Sequence, residues 1–97
     1  MIDLPADQLD KVRDIVQLHL DDAEVFAFGS RVTGRARKFS DLDLMIKFDA
    51  RLTWKKLADL RESFEESDLP ITVDLVDWNH CSDEFRRLVS PQLVRIV

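Results

Sequence analysis

A chain of 97 residues, 45% hydrophobic and 34% charged, has the length for a single domain, here 1–97, with one modest core, and is too apolar to be a disordered tail. No apolar run nears the roughly 20 residues that cross a bilayer, and the acidic N-terminus MIDLPADQLD lacks the apolar centre of a signal peptide. The net charge of −5 opposes non-specific nucleic-acid binding, and the lone Cys81 excludes an internal disulfide, so the cytoplasm is the expected location.

Residues 6–20 carry Leu9, Val12, Val16 and Leu20 at helical spacing behind Pro5, which suits a first-turn position. His19 reads as a partly exposed residue of that helix, since no Cys or second His stands at metal-ligand spacing. Asp21 and Asp22 close the element, and residues 24–28, EVFAF, predict a short buried strand ending at Gly29. Residues 30–37 fit a short helix. Residues 42–48 predict a second strand, with Leu42, Leu44 and Ile46 on one face and Asp41, Asp43 and Met45 on the other.

After a connection over 49–52, Thr53 is the expected N-cap of a helix running to about Glu66. Leu57, Leu60, Arg61 and Phe64 form its inner stripe, and Trp54 is expected to pack at its start. Pro70 ends a turn, and ITVDLV (71–76) predicts a third strand, with Val73 and Leu75 facing away from Thr72, Asp74 and Val76. Asp77 has the opposite parity to Asp74. Ser82 caps a last helix through about Val89, with Phe85, Leu88 and Val89 inward, and Trp78 either anchors it to the sheet or sits in a partner interface; His80-Cys81 reads as ordinary loop. Pro91 breaks that helix, and the tail LVRIV packs as a short terminal element.

The chemistry concentrates in residues 28–48, FGSRVTGRARKFSDLDLMIKF. Both glycines of the chain, Gly29 and Gly34, fall here, which points to a special backbone geometry or a close ligand approach. Residues 29–40 hold Arg31, Arg35, Arg37 and Lys38 and no acid, a local +4 that leaves −9 for the rest of the chain. A small basic loop beside paired carboxylates suits a compact polyanion held with a metal, such as a nucleoside triphosphate. Asp41 and Asp43, two residues apart, can share divalent cations, and Asp74 on a neighbouring strand would complete the site, because an acid inside an apolar strand is costly unless it meets solvent or metal. Such hard oxygen ligands suit Mg²⁺, and two ions could bind the attacking and leaving oxygens of a phosphoryl displacement. Ser30 and nearby backbone N–H groups would hold the departing phosphates, with Arg31 or Arg35 neutralising charge.

Gly29-Ser30-Arg31-Val32-Thr33-Gly34, followed by Ser40-Asp41-Leu42-Asp43-Leu44, resembles the minimal nucleotidyltransferases (MNT) of the DNA polymerase β-like superfamily, and the likeness extends through VDLVDW to nearly the whole chain. The resemblance implies an α+β two-layer fold, a small mixed sheet with helices on one face and the carboxylates on the open face. It implies transfer of a nucleoside monophosphate from an Mg²⁺-bound triphosphate, with Asp41, Asp43 and Asp74 as metal ligands, Asp74 also as the base, and Gly29 and Ser30 on the triphosphate. Thr33 stands where members often carry arginine, which leaves one phosphate contact to Arg31 or Arg35. Short members are commonly antitoxins that add AMP from ATP to a tyrosine of a HEPN-domain RNase toxin, and this chain is similar to that class. The chain leaves no room for an acceptor-binding domain, so the acceptor is expected to be gripped by a partner or a second subunit. The competing expectations are an antitoxin that neutralises by contact alone, with a vestigial site, and a nucleotidyltransferase for a small molecule.

Overall fold

A computed structural model describes residues 2–20, 22–48 and 53–97. The chain runs α1 (Ala6–His19), β1 (Glu24–Phe28), α2 (Ser30–Thr33), β2 (Leu42–Lys47), α3 (Trp54–Glu66), β3 (Val73–Asp77), α4 (Asp83–Val89) and β4 (Val94–Arg95). Short 3₁₀ turns at Trp78–His80 and Ser90–Gln92 flank α4. Asp21, one of the two acids expected to close the first helix, and the expected connection over 49–52 lie outside the described residues.

The strands form one mixed sheet in the order β3-β2-β1-β4. β1 is antiparallel to both β2 and β4, whereas β2 and β3 are parallel, and α3 makes the crossover that a parallel pair needs. Local chemistry sets the helix starts. Thr53 accepts a hydrogen bond from the Lys56 N–H at 3.1 Å, and Ser82 accepts one from the Phe85 N–H at 3.1 Å.

The period-two pattern of the strands sorts their side chains onto two different layers. On one face, Val25, Ala27, Leu42, Leu44, Ile46 and Val73 pack beneath Val12, Val16 and Leu20 on the α1 side and Leu60 and Phe64 of α3. This is the main core, where each full burial of such a side chain contributes about 1.5–3 kcal/mol. The terminal LVRIV does pack: Val94 pairs with Ala27, and Ile96 is buried in the same core.

The opposite face is not open along its whole length. Phe28, Met45 and Val89 form a second buried cluster with Phe26, Val76, Trp78, Phe85 and Leu93 around it, and Phe28 meets Phe85 edge-on at 6.2 Å. Helices on one face are thus α1 and α3; α4 is an addition that covers the lower part of the other face. Trp78 anchors it, lying under the Lys47 ammonium at 4.1 Å and the Arg86 guanidinium at 5.1 Å.

Three packing expectations need correction. Trp54 does not pack at the start of α3 but is 84% exposed, Leu88 is 67% exposed on the outer side of α4, and Arg61 is exposed rather than inward. In each case the spacing fits a helix, but the residue lies on a flank that neither core cluster includes. Met45, expected on the open face beside the acids, is fully buried by α4. No helix among the described residues is long and apolar enough to cross a membrane.

Candidate active site

β1 ends at a sharp turn, where Gly29 has φ 80° and ψ −155°. That φ disfavours residues with a side chain, and space makes the same demand. A Cβ on Gly29 would collide with Asp43 Oδ2 and lie 3.2 Å from Asp43 Cγ. The absence of a side chain at Gly29 is therefore what lets the turn and the carboxylate touch. Its carbonyl accepts from the Val32 and Thr33 N–H groups, both at 3.0 Å, so α2 starts at once and lasts only four residues. Gly34, at φ 82°, stops it in the left-handed conformation and redirects the chain.

The register then aligns the carboxylates. Phe28 of β1 pairs with Asp43 of β2, and Asp43 pairs with Asp74 of β3. The Gly29 turn and Asp74 thus flank Asp43 on opposite sides, across three strands. Asp41 is exposed just before β2, Asp43 is half-buried, and Asp74 is exposed. Burial pushes the Asp43 carboxyl above its usual pKa, and the charges of Asp74 and then Asp41 push it the same way. Among the described residues, no hydrogen-bond donor or cation partners any of these three carboxylates. No three His, Cys, Asp or Glu side chains there converge closely enough for one ion to take all three.

Asp77, the alternative third acid, is spent differently. It is 5% exposed, caps the following 3₁₀ turn through the Asn79 N–H at 3.0 Å, and lies 3.8 Å from the His80 ring.

The basic loop divides in the same way. Arg31 is only 6% exposed, and its guanidinium is turned away from the carboxylates into its own loop. Nε and Nη2 donate to the Ser40 carbonyl at 3.1 and 2.9 Å. Nη2 also reaches the Arg37 and Lys38 carbonyls at 3.3 and 3.2 Å, and Nη1 donates to the Asp3 carbonyl at 2.9 Å. A guanidinium has five N–H donors, and this one is largely committed to backbone. The expectation that Arg31 meets phosphate is corrected on that ground: it pins the loop that delivers Asp41. Arg35 is exposed and lines a cavity of about 420 Å³ with Gly29, Ser30, Thr33 and Gln92. Gln92, which the sequence pattern does not single out, accepts from the Gly29 N–H at 3.1 Å.

The family description "Polymerase beta, Nucleotidyltransferase" matches residues 10–96. The chain belongs to this nucleotidyltransferase family. It is 44% identical over 95 residues to the Haemophilus influenzae protein named "Probable protein adenylyltransferase MntA", an alignment covering 98% of this chain and 83% of that one. A chain of a toxin–antitoxin crystal structure with AMP-PNP superposes with a TM-score of 0.77 at 22% identity, covering 92% of this chain and 72% of that one. A chain from the complex of a tri-AMPylated Shewanella oneidensis HEPN toxin with its MNT antitoxin gives 0.64 at 20% identity, covering 93% and 69%. These two likenesses establish the shared fold, a four-stranded mixed sheet with helices.

Proposed function

We propose that this chain, acting as one domain over 1–97 in the cytoplasm, is a Mg²⁺-dependent protein adenylyltransferase. It neutralises a HEPN-domain toxin as its antitoxin, by moving AMP from ATP to a tyrosine hydroxyl of that partner. The observation that carries the reading is the placement of Asp43 between the Gly29 turn at the end of β1 and Asp74 on β3. The kinship with a protein named as an adenylyltransferase, and the folds of antitoxin chains seen beside HEPN toxin or with AMP-PNP, supply the nucleotide and the partner.

The donor set fits a hard divalent cation. Asp43 stands between Asp41 and Asp74 without a countercharge among the described residues, and burial first, then the charges of Asp74 and Asp41, raise its pKa. Asp41, Asp43 and Asp74 would share two such ions between them; when bound, Mg²⁺ supplies positive charge to the phosphate oxygens. The chain's own residues do the rest. Ser30 and Arg35, in the cavity beside Gly29, hold the β- and γ-phosphates that leave as pyrophosphate. Asp74, on the far side of Asp43, takes the proton of the incoming hydroxyl as its oxygen attacks the α-phosphorus. That separation suits an in-line displacement.

Asp43→Asn tests the reading in an assay of AMP transfer to a HEPN-domain partner. Loss of transfer with the complex still formed is the expected result. A variant that transfers AMP normally would overturn it, and an Asp41→Asn, Asp43→Asn chain that still neutralised the partner fully in cells would favour neutralisation by contact.

A further inference from the structure

We infer that Gln92 is a substrate-binding residue for the triphosphate: a bifunctional amide that fixes the Gly29 turn with its oxygen and donates to a phosphate oxygen with its nitrogen. The inference rests on the nucleotidyltransferase reading above and extends it to the C-terminal segment, which that chemistry leaves unused.

The β1–β4 ladder ends short of the Gly29 turn. β4 pairs only with Phe26 and Ala27, so on that side of the sheet the regular pairing of β1 has stopped before Gly29. An unpaired N–H there would leave the turn loosely held. Gln92 reaches back over 63 residues and takes that N–H on Oε1 at 3.1 Å. With the oxygen so placed, the amide NH₂ is the free branch, and it has no acceptor among the described residues. Nor is it a buried, frustrated donor, because no buried side-chain nitrogen or oxygen there lacks a partner. Gln92 lines the same cavity as Ser30, Thr33 and Arg35. A neutral donor aimed at a cavity that already holds a hydroxyl and a guanidinium is suited to a phosphate oxygen, and it can contribute the contact that Thr33 is too short to make.

The side chain is also preorganised. Val89 is buried before it, Leu93 packs into the second cluster after it, and Val94 pairs with Ala27. Gln92 is thus held between two anchors while its amide faces the cavity. Such fixed donors lose little entropy on binding, which is what makes them effective toward an anion.

The test separates the two halves of the amide. Gln92→Glu keeps an oxygen for the Gly29 N–H but removes the donor and places a carboxylate toward the phosphates. Gln92→Met removes both functions without adding charge. Binding of ATP and of AMP is measured by calorimetry on each full-length variant with Mg²⁺ present, alongside thermal melting. We expect Gln92→Glu to weaken ATP binding about tenfold or more and Gln92→Met about three- to tenfold, with AMP affinity within about twofold of wild type. The Gln92→Glu melting temperature should stay near that of wild type. ATP binding unchanged in Gln92→Glu, or ATP and AMP weakened equally by both variants, would overturn the inference and reduce Gln92 to a tether. A wild-type chain that binds no ATP would overturn the parent reading and this inference with it.

Discussion

Two charged regions lie within a dozen residues of each other, yet the fold spends one and keeps the other in reserve. Around Arg31, one buried guanidinium serves the carbonyls of Asp3, Arg37, Lys38 and Ser40. Around Asp43, three carboxylates stand with no partner among the described residues, and burial first, then the charges of Asp74 and Asp41, push the pKa of the central one up. Charge density alone would rank both regions as functional. Counting what each group already bonds to separates a brace from a binding site. The brace matters to the site, since the loop it pins runs straight into Asp41.

The sharpest way to break this contrast is to neutralise each side in turn. Asp43→Asn should cost AMP transfer on the order of 100-fold or more, the size expected when a charge-stabilising group in an active site is removed. Its fold should be intact by circular dichroism; a loss of activity matched by loss of structure would make Asp43 a brace too. Arg31→Met should do the reverse. It removes charge-assisted bonds from a buried position, and unfolding in urea should show a loss of about 2–3 kcal/mol. If Arg31→Met instead left stability unchanged and weakened ATP binding alone, the assignment of Arg31 to the scaffold would fail.

Arg35→Met gives a smaller effect on the other side of the comparison. ATP affinity measured by calorimetry should fall about tenfold with the melting temperature unmoved, because this exposed side chain bonds to nothing among the described residues. The smallest effect is on stability against pH. With its pKa raised above the unfolded value of 3.8, Asp43 binds its proton more tightly in the folded chain. Stability therefore falls as pH rises from 3.8 through the raised value, and Asp43→Asn should escape that loss. Without Mg²⁺, the variant should melt above wild type at neutral pH, and the two should coincide below pH 3.8. Equal melting temperatures at both pH values would mean that neither burial nor the neighbouring acids load Asp43 in the folded chain.

The sequence made the local features legible and left the three-dimensional allocation hidden. The caps at Thr53 and Ser82, the strand over 24–28 and the glycine pair could be read because each depends on neighbours in the chain. Parity placed Asp41, Asp43 and Asp74 on one side of the sheet and set Asp77 apart. Alternation says which side chains share a face but not what covers that face, so it groups Met45 with the acids although α4 buries it. Arg31 was opaque for a related reason. A basic residue one position past Ser30 looks ready for phosphate, and only the path of residues 35–40 shows its donors drawn into carbonyls. Gln92 gave no signal at all, because its partner Gly29 lies 63 residues away.

The central claim is that this chain transfers the α-phosphoryl nucleotide to a protein partner. Its most direct test presents ATP labelled separately at the α- and γ-phosphates, with Mg²⁺, to the chain and a HEPN-domain partner. The account predicts α-label on the partner, γ-label only in released pyrophosphate, and neither event with Asp43→Asn. Label from the γ-phosphate on the partner would contradict it, as would a partner neutralised with no label attached.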